Sequence, residues 1–178
     1  YCFDLAKQYI EEVSSGEKVT GELVRLAVER HIRDIAGQAD SEFYFDPEAV
    51  DRVFRFYSLT CHYKGEWAGR QFVLSDWQCF IIVEIFGWKR KDTNKRRYLV
   101  GYIQIARKNG KTTFIAPVGL YMLSADGEGG AEIYAAATKK EQAKILFDGA
   151  VAMRDKSPRL REKIGRQRNL LTVDKTMS

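Results

Sequence analysis

The stretch from Tyr98 to Met153 constrains this chain more than any other part of it. Leu99, Val100, Tyr102, Ile103 and Ile105 form a short, nearly continuous apolar run, as a strand buried on both faces requires. A Gly-Lys turn follows, then a helix predicted from Lys111 to Leu123, with Pro117 an awkward interior residue. Beyond the loop Asp126-Gly127-Glu128-Gly129-Gly130, Ile133-Tyr134-Ala135-Ala136-Ala137 reads as a second strand. Thr138 can cap a second helix carrying Ala143, Leu146, Phe147, Ala150 and Met153. Strand, helix, strand, helix in succession is the βαβ signature of a parallel sheet, so the expected class is α/β. Ser157-Pro158 starts a short further helix, and Asn169 to Val173 is expected as a third strand.

The first third of the chain reads as helical. Leu5, Tyr9 and Val13 recur every four residues until Ser14-Ser15-Gly16 interrupts them. Thr20 can cap a second helix with Leu23, Val24, Ala27, Val28, Ile32 and Ile35 on one apolar face, ended by Gly37. Asp46-Pro47-Glu48 is a helix start, because the carboxylate accepts orphan N–H groups and proline tolerates the first helical position. Val50, Val53, Phe54 and Tyr57 follow at helical spacing, and these stripes read as core. A further helix is predicted from Leu74-Ser75-Asp76 through Phe80, Ile81 and Ile85 to Gly87.

The 178 residues fit one domain, or one domain with a helical extension. Hydrophobic residues at 45% and charged residues at 30% exclude wholesale disorder. The net charge of +5 fits a polyanionic partner without requiring one. Cys2, Cys61 and Cys79 form no CxxC spacing and cannot all pair, so a reducing, cytosolic compartment is the simpler reading. Cys61-His62 lacks the second ligand pair a zinc site needs. The most apolar run, Cys79 to Val83, breaks at Glu84, far short of a membrane span. Lys89 to Arg97 places six basic residues around an Asp-Thr-Asn turn, which fits either a solvated loop or a hairpin whose charges meet phosphates.

The chemistry concentrates in Ile105-Ala106-Arg107-Lys108-Asn109-Gly110-Lys111-Thr112, between the first strand and its helix. A phosphate-binding loop needs exposed backbone donors and a helix N-terminus whose partial positive charge faces the anion. Gly110 allows close backbone approach, Lys111 can reach β- and γ-phosphate oxygens, and Thr112 can offer its hydroxyl to Mg²⁺. Of the pattern G-x-x-x-x-G-K-[ST] only the second half is met, because Ile105 stands where the first glycine belongs. The alternative is an ordinary turn with a lysine near a helix start. Arg107 and Lys108 add two cations just upstream, either exposed to solvent or, for Arg107, poised to neutralise a γ-phosphate.

Ala106-Arg107-Lys108-Asn109-Gly110-Lys111-Thr112-Thr113 resembles the deviant Walker A loop of large terminase subunits from tailed double-stranded DNA phages. Glu132 to Thr138 with Glu141-Gln142-Ala143 is similar to the strand and helix that follow that loop in the family, and Leu74 to Phe80 to the segment ahead of it near the adenine. The resemblance implies an additional-strand P-loop ATPase, powered by ATP with Mg²⁺, that translocates double-stranded DNA into a procapsid. It implies a small terminase subunit and the portal as partners, a homo-oligomer during packaging, no membrane, and the cytoplasm of a bacterial host. Lys111 and Thr112 would hold phosphates and magnesium, with Arg107 as the loop arginine and Gln78 contacting the base. Lys108, Asn109, Gly110 and Thr113 complete the implied binding set.

The expected division is a helical segment over 1–68 and a partial P-loop ATPase domain over 69–178. Leu170-Leu171-Thr172-Val173-Asp174-Lys175 has an apolar run and an aspartate, but lysine follows where a catalytic glutamate is needed, so Asp174 reads as a decoy. The chain, beginning at Tyr1, is therefore expected to be the N-terminal portion of such a protein, poor at hydrolysis alone, with the Walker B strand and a nuclease domain following in the family. Two other readings stay open: a non-catalytic nucleic-acid-binding module, and a different P-loop motor such as a helicase.

Overall fold

The computed structural model describes residues 1–173. In chain order these form α1 (Cys2–Ser15), α2 (Glu22–Gly37), β1 (Phe43–Phe45), α3 (Pro47–Tyr57), α4 (Asp76–Gly87), β2 (Trp88–Arg90), α5 (Lys111–Ser124), α6 (Lys140–Lys156), α7 (Pro158–Lys163), β3 (Gly165–Gln167) and β4 (Leu170–Thr172). The class is mixed α/β. The residues pack as two units that are discontinuous in sequence: Tyr1–Phe54 with Leu74–Ile103, and Arg55–Val73 with the residues from Gln104 onward. The packing units therefore cut the chain differently from the 1–68 and 69–178 division, the first cut falling inside α3.

In the first unit α1 lies along α4. Ala6, Tyr9 and Val13 are buried, at the helical spacing the sequence shows, and Gly16 at φ 82° ends the helix with its N–H on the Val13 carbonyl. Tyr9, Val13, Val28 and Phe80 form a common cluster. Lys18 pairs with Asp76 at the start of α4 and with Glu12, 2.6 Å away, and these two carboxylates raise its pKa. The second helix begins behind Gly21 rather than Thr20, and its buried stripe is narrower than predicted: Val28 and His31 are buried while Leu23 and Ile32 face solvent. The difference arises because only the Val24, Ala27 and Val28 edge of α2 meets the cluster.

Asp46 caps α3 as expected, its Oδ1 accepting the Ala49 N–H at 3.0 Å. Burial opposes its ionisation, but the Lys89 ammonium and that N–H together hold the carboxyl below its usual range. β1 and β2 pair antiparallel in the register Phe43↔Arg90, Tyr44↔Lys89, Phe45↔Trp88. At the inner end of α4, buried Glu84 accepts from His31 Nδ1 at 2.5 Å, Arg30 Nη2 at 3.1 Å and Trp88 Nε1 at 3.3 Å.

In the second unit the end of α3 and the chain after it pack on α5. The Tyr57 hydroxyl donates to the Phe114 carbonyl at 2.7 Å, and Phe56 meets Tyr121 edge-on at 5.5 Å between centroids. Phe114, Leu120, Met153, Leu160 and Ile164 are fully buried. Pro117 sits inside α5 and cannot donate to the Thr113 carbonyl one turn back. Ser157 caps α7, accepting the Leu160 N–H, as the Ser-Pro pair predicts.

The sheets depart from expectation. Among the described residues the two sheets are the pairs β1–β2 and β3–β4, both antiparallel. The apolar runs at 99–105 and 133–137 form no ladder. Their side chains are open to solvent, Leu99 at 90%, Val100 at 86% and Tyr134 at 82%. A parallel strand takes its stability from neighbours on both edges and both faces, and these runs have neither. The third expected strand is β4, turned back on β3 as a hairpin, Arg166 opposite Leu171. Asp174 lies outside the described residues.

Candidate functional site

The site is built on the N-terminus of α5. Gly110 is its N-cap, at φ 70° and ψ 17° in the left-handed region that glycine adopts without strain. Lys108 is also left-handed, at φ 70°, where a non-glycine residue costs about 1–2 kcal/mol. Two left-handed residues around Asn109 fold the loop tightly enough to deliver Lys111 as the first helical residue. The Phe114 N–H is the first to reach an intrahelical carbonyl, that of Gly110, at 2.9 Å. No side chain caps the helix, so the N–H groups of Lys111, Thr112 and Thr113 remain available to an anion.

These groups border a cavity of about 560 Å³, within the range of small-molecule sites. Arg107, Lys108, Gly110, Lys111, Thr112 and Thr113 line it on the loop side, with Ile145 of α6 opposite them in sequence. Tyr63 and Lys64, from the segment after α3, line it too. Four cations thus surround one cavity whose lining contains no carboxylate. Among the described residues no carboxylate comes within ion-pair distance of Lys64, Arg107, Lys108 or Lys111. Such a lining selects an anion carrying several charges.

Thr112 places a hydroxyl at the cavity, a donor type that suits Mg²⁺ bound beside phosphates. Among the described residues there is no cluster of three or more acidic, histidine or cysteine side chains that could hold a metal by itself.

The sequence-predicted residues divide three ways. Arg107, Lys108, Gly110, Lys111, Thr112 and Thr113 come together at one cavity. Asn109 is exposed within the loop without lining the cavity. Gln78 is buried in the first unit, where its Oε1 accepts the Ser75 N–H at 3.0 Å as part of the start of α4. Tyr63 and Lys64 escaped the sequence reading because nothing in a lone Tyr-Lys pair announces a site; an isolated glycine in a helix, Gly149, was the one available hint.

Five of the six cations in the other basic cluster, Lys89 to Arg97, have partners within the chain. Lys89 pairs with Asp46 at 2.7 Å, Arg90 with Asp92 through two bonds of 3.0 Å, and Arg97 with Asp34 at 2.6 Å. Lys91 donates to the carbonyls of Gln38 and Ala39, and Arg96 lies over the Phe86 ring.

The family described as the terminase large subunit, ATPase domain, matches residues 76–177. The crystal structure of the HK97 bacteriophage large terminase is similar at a TM-score of 0.55 and 27% identity, over 70% of this chain and 25% of that one. The chain thus spans a quarter of the length of that terminase. No curated protein matches it. No helix among the described residues is long and apolar enough to cross a membrane.

Proposed function

This chain belongs to the terminase large subunit ATPase-domain family, and we propose that it is the ATP-binding part of a viral DNA-packaging motor. The motor couples ATP hydrolysis to movement of double-stranded DNA into a procapsid. The observation that carries the reading is the four-cation cavity at the open N-terminus of α5. The family match and the likeness to a phage large terminase support it.

In this reading residues 69–178 are part of a P-loop ATPase domain of the additional-strand type. The runs 99–105 and 133–137, which form no ladder among the described residues, are assigned as strands of its parallel sheet in the whole protein. Lys111 binds the β- and γ-phosphate oxygens, and the N–H groups of Lys111, Thr112 and Thr113 hold the phosphate chain. Gly110 lets the chain approach the backbone closely, with Lys108 adding charge and Asn109 completing the turn. Arg107 meets the charge that develops on the γ-phosphate. Thr112 would hold magnesium through its hydroxyl, and the ion would supply neutralisation of phosphate charge there.

Turnover requires a carboxylate to orient the attacking water, and none of the described residues that line the cavity supplies one, so hydrolysis is assigned to the whole protein. The small subunit, the portal and further copies of the chain are its partners, in the cytoplasm of a bacterial host.

Titrating this chain with Mg-ATP by calorimetry tests the reading. Binding is expected, and Lys111→Ala should weaken it roughly a hundredfold, as loss of charge-assisted bonds to a desolvated anion does. Equal affinity in the variant would overturn it.

A further inference from the structure

We infer that Lys64 is a further phosphate-binding residue of the nucleotide site, held in place by Tyr63, whose seat is the missing side chain of Gly149. The inference rests on the ATP-binding reading above and assigns residues to it that lie ahead of the family match, which begins at residue 76.

Three observations carry it. First, Lys64 lines the same cavity as Arg107, Lys108 and Lys111, and its Nζ lies 5.3 Å from the centre of the Tyr63 ring. An ammonium beside a ring face, with no carboxylate of the described residues within ion-pair distance, keeps its N–H donors for an anion.

Second, the segment that carries Lys64 is tied at its base. The His62 N–H donates to the Arg70 carbonyl at 2.9 Å and the Gly69 N–H to the His62 carbonyl at 2.7 Å. Cys61 and Gln71 bridge antiparallel beside them, and the Phe72 N–H donates to the Thr60 carbonyl at 3.0 Å. His62 is further fixed edge-on against buried Phe72, at 5.0 Å between centroids. Lys64 therefore leaves from a closed hairpin base two residues away, not from a free loop.

Third, α6 has been shaped to receive Tyr63. A Cβ at Gly149 would stand 2.9 Å from Tyr63 Oη, 3.1 Å from its Cζ and 3.4 Å from Thr112 Cγ2. Gly149 is buried in the interior of a helix, a place where glycine is unfavourable relative to alanine. The open space lets one phenol and the site threonine rest on the same point of α6. Tyr63 is thus a positioning residue, joining the Lys64 segment to the first turn of α5. Burial, with a smaller contribution from Asp148, pushes its phenol pKa up, so it remains an uncharged hydroxyl beside the phosphates.

The test is calorimetric titration of the full chain with Mg-ATP and with inorganic triphosphate, for the wild type, Lys64→Ala, Lys64→Arg and Lys111→Ala. Thermal melts of each variant verify that it is folded. Lys64→Ala is expected to bind both ligands roughly tenfold more weakly, with a shallower salt dependence, and Lys64→Arg to recover most of the loss. If Lys111→Ala abolishes binding while Lys64→Ala stays within twofold of wild type, this inference fails and the nucleotide reading stands. If Lys64→Arg is as weak as Lys64→Ala, the role of the charge is refuted. If the folded wild type binds neither ligand, both readings fall together.

Discussion

The two basic clusters of this chain look alike in the sequence and are opposites in the structure. Between residues 89 and 97, Lys89, Arg90 and Arg97 each meet a carboxylate, and Arg97 also lies over the Phe43 ring at 4.4 Å. Around the α5 N-terminus, Lys64, Arg107, Lys108 and Lys111 share a cavity with no acid among the described residues that line it. The first cluster uses most of its charge in contacts within the chain; the second turns its charge to an open cavity. Charge density therefore says little until each cation's partner is known. A nucleic-acid interface that used Lys89, Arg90 or Arg97 would have to break ion pairs before it could form contacts with phosphates.

The contrast can be broken experimentally. The largest effect is expected where the first unit satisfies its charges most deeply. Glu84→Ala strips the acceptor from His31, Arg30 and Trp88 and should cost about 3–5 kcal/mol by urea unfolding, as removal of one partner from a buried network does. A loss under about 1 kcal/mol would show that these partners find water instead. On the other side, Arg107→Ala in the complete protein should lower ATP turnover roughly a thousandfold while leaving folding stability within about 0.5 kcal/mol. Unchanged turnover removes its role; a large stability loss breaks the contrast itself.

Arg97→Ala should instead behave as a structural change, costing roughly 1–3 kcal/mol through the lost Asp34 pair and ring stacking. Duplex DNA affinity that fell with stability intact would reverse this assignment. The smallest effect is at Asp46, which both caps α3 and pairs with Lys89. Its carboxyl is depressed in the folded chain, so its contribution is complete above the ordinary aspartate pKa and fades as pH falls through the lowered value. Asp46→Asn should cost about 1 kcal/mol at neutral pH and flatten that part of the acid limb in a pH series of melts. An unaltered acid limb would place the titration elsewhere.

What was legible in the sequence was local. Asp46-Pro47, Ser157-Pro158 and Gly16 mark helix ends because each satisfies backbone groups within a turn of itself, and those ends are where they were expected. The loop from Arg107 to Thr113 was legible for the same reason: its donors, its glycine and its cations are contiguous. Strands were only partly legible, because a strand exists only with a partner: the run at 169–173 does hold β4, paired with β3. The apolar runs at 99–105 and 133–137 have strand composition and no ladder, while β1, just Phe43–Phe45, was too short to signal itself and pairs with β2. Gln78 shows a different kind of ambiguity. A helix start wants a glutamine at that position whatever else it does, and its side-chain oxygen serves that need. Tyr63 and Lys64 were illegible because their distance from the loop in sequence is closed only by packing on Gly149.

Lys108 sets two requirements of the loop against each other. Its left-handed backbone is one that glycine would adopt freely, and a D-amino acid more readily than an L-residue. Glycine would relax the turn and remove a positive charge from the cavity. The chain has lysine there and tolerates the handedness. Lys108→Gly is therefore a direct way to weigh an electrostatic contribution against a stereochemical one at a single residue.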